Sequence, residues 1–108
     1  MGKEFQFYFY VPISHKDIVK NACFQEGAGR MGNYENCCFE TLGMGQFKPL
    51  LGSKAFLGKI SKLEYVQEVK VEMVVQEKNR INVLRTFLAH HPYETPAFGF
   101  IEIGSEIN

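Results

Sequence analysis

The sequence predicts an α+β fold in which four strands and two helices follow one another as βαββαβ, and three observations predict it. Residues 5–11 and 69–76 alternate apolar and polar side chains with period two, the signature of strands with one buried face. Residues 18–23 and 81–88 repeat apolar side chains at helical spacing instead. Glycine or proline punctuates the junctions, at Gly27 and Gly29, at Gly32-Asn33 and at His91-Pro92.

The first strand places Phe5, Phe7, Phe9 and Val11 on one face and Gln6, Tyr8 and Tyr10 on the other. Ser14, with Asp17 three positions later, resembles a capping box with a shorter acid, so the first helix is expected over residues 15–26 with Ile18, Val19, Ala22 and Cys23 as its apolar stripe. Gly27 and Gly29 supply the left-handed conformations that close it. A second strand is expected over residues 36–47, with a bulge or bend at Gly43-Met44-Gly45. Residues 48–64 mix Pro49, Gly52 and Gly58 with Leu50, Leu51, Phe56 and Leu57, too apolar for a disordered linker and too broken for a helix. They read as an ordered excursion with a short accessory strand. Val69, Val71, Met73 and Val75 mark the third strand, and Ile81, Leu84, Phe87 and Leu88 the second helix, which stops at His90-His91-Pro92 because proline disfavours helical geometry in the residue before it. The fourth strand covers residues 97–103.

With right-handed crossovers this order is the split-βαβ, ferredoxin-like arrangement: a four-stranded antiparallel sheet with both helices on one face, a single domain over residues 1–108. Its other face stays open. Tyr8, Tyr10, Val74 and the aromatic pair Phe98 and Phe100 are its candidate occupants, more apolar surface than a monomer usually exposes, so a homo-oligomer closing over that face is expected.

Composition excludes several classes. Twelve Lys and Arg balance twelve Asp and Glu, so no global field gathers nucleic acid or an anionic membrane. Residues 97–103 imitate the aromatic run with which RNA-recognition strands stack on bases, but they form the last strand and lack the opening basic residue. No apolar stretch approaches the roughly 20 residues of a membrane helix, and no signal-peptide core follows Met1, so a cytoplasmic protein is expected. Three cysteines, two of them adjacent at Cys37-Cys38 in a segment that reads as strand, argue against a disulfide framework.

Taken together, Glu26-Gly27-Ala28-Gly29, Gly32-Asn33-Tyr34, Cys38-Phe39, Gly43-Met44-Gly45-Gln46-Phe47-Lys48-Pro49, Lys62-Leu63-Glu64 and His91-Pro92-Tyr93-Glu94 resemble the accessory domain of the Nif-three-like dinuclear-metal proteins, and more closely its stand-alone YqfO-type form. The resemblance covers residues 5–103. It implies a fold related to the PII signalling proteins and the CutA proteins, which assemble as trimers through their sheets, and hence a trimer. In the longer relatives the two-metal centre is built by flanking domains, so the resemblance carries no hydrolase or cyclohydrolase activity to this chain.

In such a sheet the end of strand one, the connection between strands two and three, and the loop after helix two share one end, so His15, the excursion and residues 90–94 are expected to be neighbours. His15, His91 and Glu94 are the candidate ligands there for a divalent transition metal, which takes imidazole and carboxylate donors. The competing reading has a histidine at a helix C-terminus bonding the last carbonyls. Gly27 to Asn33 offers backbone N–H groups and Arg30 to an anion, against a plain role in ending the helix and packing on a subunit. Of the motif residues, Gly29, Gly32, Asn33, Tyr34, Cys38, Pro92 and Tyr93 are the candidates for ligand contact; Cys38 reads either as a reactive thiol or as a small buried hydrophobe.

No catalytic triad or paired-carboxylate arrangement assembles from the sequence. The expectation is a PII-like or CutA-like module that binds a small ligand, a metal ion or a protein partner in clefts between subunits. Two alternatives stand beside it: a metal-assisted hydrolase completed at an interface by His15, His91 and Glu94, and a purely structural or regulatory interaction domain.

Overall fold

A computed structural model describes residues 2–104; Met1 and residues 105–108, the outermost parts of the expected 1–108 domain, lie outside the described residues. The chain runs β1 (Glu4–Pro12), a 3₁₀ turn (Ile13–His15), α1 (Lys16–Gln25), β2 (Phe39–Phe47), β3 (Glu64–Gln76), α2 (Glu77–His90) and β4 (Phe98–Ile103). The strands form one sheet in the order β2-β3-β1-β4 with every neighbouring pair antiparallel. This is the α+β, ferredoxin-like architecture read from the periodicities.

The period-two pattern becomes a layered core. Phe7, Phe9 and Val11 of β1 and Val69, Val71, Met73 and Val75 of β3 are buried on one face, against Val19 and Cys23 of α1 and Val83 and Phe87 of α2. Both helices therefore cover that one face. Phe7 sits at its centre with no exposed surface, stacked on Phe100 at 4.5 Å and meeting Phe87 edge-on at 5.2 Å. Offset-stacked and edge-on aromatic pairs add to area burial because positive ring edges meet negative faces.

Four details depart from the sequence reading. First, β4 pairs with β1 through Phe7↔Phe100 and Phe9↔Phe98, which turns the aromatic pair towards the helices; the open face receives Gly99, Ile101 and Ile103 instead. Second, β2 starts at Phe39 rather than Asn36, because Asn36 is left-handed at φ 60° and Cys37 donates its N–H to Gly29 O at 2.9 Å. Cys37 and Cys38 thus belong to the loop. Third, the excursion holds no accessory strand; its last residue Glu64 already belongs to β3, which pairs with β2 as far as Phe47↔Glu64. Residues 64–68 lie on an arm with water near both faces, so alternation does not reveal them. Fourth, no capping box forms: Ser14 Oγ pairs with His15 Nδ1 at 2.8 Å, and α1 starts from a 3₁₀ turn.

The end of α1 follows its glycines. Gly27, at φ 99°, lets its own N–H reach Phe24 O at 3.0 Å and the N–H of Ala28 reach Cys23 O at 3.2 Å, the paired bonds of a Schellman motif. Gly29 then donates to Val74 O at 2.8 Å, where β2 no longer flanks β3, and a Cβ there would stand 2.7 Å from Cys37 O. At the edge of the sheet, Glu40 of β2 accepts from Lys16 at 2.8 Å and also from Lys20, and these bonds hold its carboxyl below the usual range.

Since the core is organised around Phe7, truncation to Phe7→Ala is expected to cost about 3–5 kcal/mol of stability, the usual range for a buried phenylalanine. Chemical denaturation measures it; a loss below about 1 kcal/mol contradicts the packing described.

Candidate functional site

Three segments converge at one end of the sheet as the topology requires: the last residues of β1, the 48–63 connection, and residues 91–97 between α2 and β4. Pro92 forces His91 out of the helix into an extended conformation at φ −72°, ψ 137°. The imidazole then turns inward, is buried, and bonds with both nitrogens. Its Nε2 lies 2.7 Å from Tyr10 O, and its Nδ1 accepts the Tyr93 N–H at 3.0 Å. Because Nδ1 accepts, the ring proton sits on Nε2 and is donated to the Tyr10 carbonyl. Burial lowers the pKa of His91 from its ordinary value, against the raising effect of the Tyr10 bond, with nearby His15 lowering it further.

This clasp sets the course of the loop and sends Tyr93 towards β3, where its hydroxyl donates to Glu68 Oε2 at 2.7 Å. Burial and the carboxylate both push the phenol pKa up, so Tyr93 remains a donor. The Tyr93 ring stands 6.0 Å from Phe47 and 6.3 Å from Phe56, and His15 meets Phe56 edge-on at 5.2 Å. Tyr93, Phe47 and Phe56 bound a cleft of about 640 Å³, largely apolar, which Tyr10, Ser53, Glu68 and Glu94 also line. Its size lies within the roughly 300–1,000 Å³ usual for small-molecule sites.

The sequence candidates divide into two groups. Pro92, Tyr93, His15, His91 and Glu94 gather at this end as expected. His15, His91 and Glu94 do not form a ligand set, however: His91 has both nitrogens engaged, Glu94 Oε1 accepts the Lys54 N–H at 3.0 Å, and among the described residues no three His, Cys, Asp or Glu side chains come together around a point that suits an ion. Gly29, Gly32, Asn33, Tyr34 and Cys38 lie elsewhere. Cys38 borders a shallow recess with Met31, Phe39 and Glu72, four residues beyond Glu68 on β3 or roughly 13 Å at about 3.3 Å per residue. Gly32 and Asn33 tip a tight turn closed by two backbone bonds of 2.9 Å between Met31 and Tyr34, a residue that is 75% exposed. Burial raises the Cys38 thiol pKa, with Lys20 opposing, which disfavours the thiolate. Sequence reasoning missed Ser53 and Glu68. Glu68 was findable: it shares the parity of Lys70 and Glu72, and only the late start assigned to β3 hid it.

The geometry defines a class first. This is the fold of the CutA proteins. CutA from Archaeoglobus fulgidus, described as a periplasmic divalent cation tolerance protein, superposes with a TM-score of 0.66 at 15% identity, over 94% of this chain and 85% of that one. The PII-like protein CutA of Nostoc sp. gives 0.66 at 15% identity, over 96% and 85%. The particular relationship is closer. A Bacillus cereus protein related to NIF3 superposes with a TM-score of 0.81 at 29% identity, over 96% of this chain and 26% of that protein. GTP cyclohydrolase 1 type 2 homologs of Halalkalibacterium halodurans and Staphylococcus aureus are each 40% identical, over 97 and 94 residues, which is 90% and 87% of this chain and 26% of each relative. The chain is thus a homologue of one segment of the YqfO/NIF3-related proteins, as its motifs imply, and spans about a quarter of their length. No family model matches the chain.

The His91 clasp makes stability depend on pH. With its pKa lowered on folding, the native state binds fewer protons at this group than the unfolded chain, so the contribution is complete above the ordinary value of 6.5 and is lost as pH falls below it through the depressed folded value. Thermal unfolding is expected to show Tm falling below about pH 6.5 more steeply in the native chain than in His91→Gln, which cannot titrate there. Parallel curves for the two proteins would contradict the neutral, buried imidazole.

Proposed function

We propose that this chain is a homo-oligomeric, trimeric binding or regulatory module that takes a small ligand or a protein partner in the cleft beside Tyr93. The observation that carries this reading is the cleft itself. Its aromatic wall is held by a buried histidine and a tyrosine–glutamate bond, so the site is organised before anything enters it, and preorganisation of this kind favours binding.

Self-association is supported by what the helices leave uncovered. Tyr8, Tyr10 and Val74 lie on the helix-free face with Phe39, which is 68% exposed. Beyond them β2 and β3 project as an arm that carries exposed Leu42, Met44 and Tyr65. The thirteen residues of β3 span roughly 43 Å at about 3.3 Å per residue, most of the molecule's 50 Å length. Apolar surface spread along an arm of that reach suits contact between copies. The homology with NIF3-related proteins and the CutA-like fold agree with a binding or regulatory part.

Native mass spectrometry of protein purified without chelators or an affinity tag tests both halves together. A trimer with a retained small molecule is the expected result; an empty monomer would overturn the reading. Placing a charge on the open face, as Tyr10→Asp, is expected to lower the oligomeric state, and an unchanged sedimentation coefficient would remove the sheet face from the interface.

A further inference from the structure

Resting on the reading of the cleft as a binding site, we infer that its ligand is a small organic cation, a primary or methylated ammonium carried on an apolar body. The argument begins with Glu68. Its Oε2 accepts the Tyr93 hydroxyl, whereas Oε1 accepts no hydrogen bond and the carboxylate forms no ion pair among the described residues. The carboxylate rests against Gly45, where a Cβ would stand 2.4 Å from Oε1, so this stretch of β2 is bare of side chain where the acid sits. A half-satisfied carboxylate in an apolar cleft gains most from a cationic donor, since hydrogen bonds to charged groups exceed neutral ones.

The remaining lining points the same way. Glu94 is a second acid in the cleft, and its Oε1 takes only a backbone N–H from Lys54, a bond that orients the group without cancelling its charge. Lys70 is the basic residue of the lining, but its ammonium lies over the Tyr8 ring, 5.4 Å from the centroid, engaged along the sheet with an aromatic face. Two carboxylates against one engaged lysine leave the cleft acidic. Phe47, Phe56 and Tyr93 add ring faces, whose quadrupoles attract alkylammonium groups and exclude carboxylates. An anion entering here would meet Glu68 and Glu94, and a neutral apolar guest would bury Glu68 Oε1 unpaired.

The test uses three probes of one shape on the intact chain, followed by two-dimensional amide NMR: phenethylammonium, neutral 2-phenylethanol and anionic hydrocinnamate. Phenethylammonium is expected to shift the amides of Gly43, Gly45 and Ala97 and to bind about ten-fold or more tighter than the alcohol, with hydrocinnamate silent. Glu68→Gln, which keeps the volume and removes the charge, should bring the amine down to the level of the alcohol. Equal or stronger binding of alcohol or acid at the same amides overturns the cation preference while leaving the cleft a binding site. Amine affinity unchanged in Glu68→Gln overturns it too. If none of the three probes shifts those amides, both the preference and the binding cleft fall. The probe comparison on the native chain stands whether or not the variant folds.

Discussion

Burial of Phe7 and Phe9 on the middle strand is the constraint from which the rest of the structure follows. β1 is flanked on both sides, by β3 and β4, so its register fixes theirs, and a slip of one residue would turn Phe7 and Phe9 towards the open face. That cost is prohibitive for rings with no exposed surface. Once Phe7 lies opposite both Met73 and Phe100, parity dictates the neighbouring positions: odd residues of β1 and, from Val69 onward, of β3 turn towards the helices, while Tyr8, Tyr10, Glu68, Lys70 and Glu72 take the opposite face.

The open face acquires its cleft only because a second interaction pins a loop across its end. His91 has little choice of role. Pro92 ends the helix, the imidazole has the buried carbonyl of Tyr10 within reach, and the next free backbone N–H, from Tyr93, completes the pair of bonds. A donor and an acceptor on one small ring make a rigid splice between β1 and the 91–97 loop. Tyr93 inherits its position from that splice and reaches Glu68 across the sheet end. The same histidine that reads in sequence as a metal donor is thus consumed as architecture, which explains why the acids and aromatics around it shape the cleft.

The β2–β3 arm illustrates the opposite situation, where no buried face disciplines the chain. Along residues 64–68 and 42–47 the exposed apolar side chains, Leu42, Met44 and Tyr65, share one face of the ladder, on the same side as buried Val69 but beyond the reach of the core. The Tyr93 bond to Glu68 and the Phe47–Tyr93 contact support the other face, whereas this one has only backbone pairing behind its exposed leucine, methionine and tyrosine.

Much of this was legible from the sequence, and the reason is local. The alternation of β1 and β3, the helical stripes of α1 and α2, the glycine closure at Gly27 and the proline stop after His91 are all written in contacts between residues close in the chain, where period and stereochemistry decide. The motifs likewise carried the relationship to NIF3-related proteins. What only the tertiary structure decided depends on register and on partners far apart in sequence. The facing of Phe98 and Phe100 was set by β1, both faces of a hydrophobic strand being equally plausible in isolation. The start of β3 was set by a ladder to β2 that leaves no alternation behind. The choice of His91 as a splice rather than a ligand was made by a carbonyl eighty-one residues away, and the meeting of Glu68, Ser53 and Tyr93 required three segments to arrive at one end of the sheet.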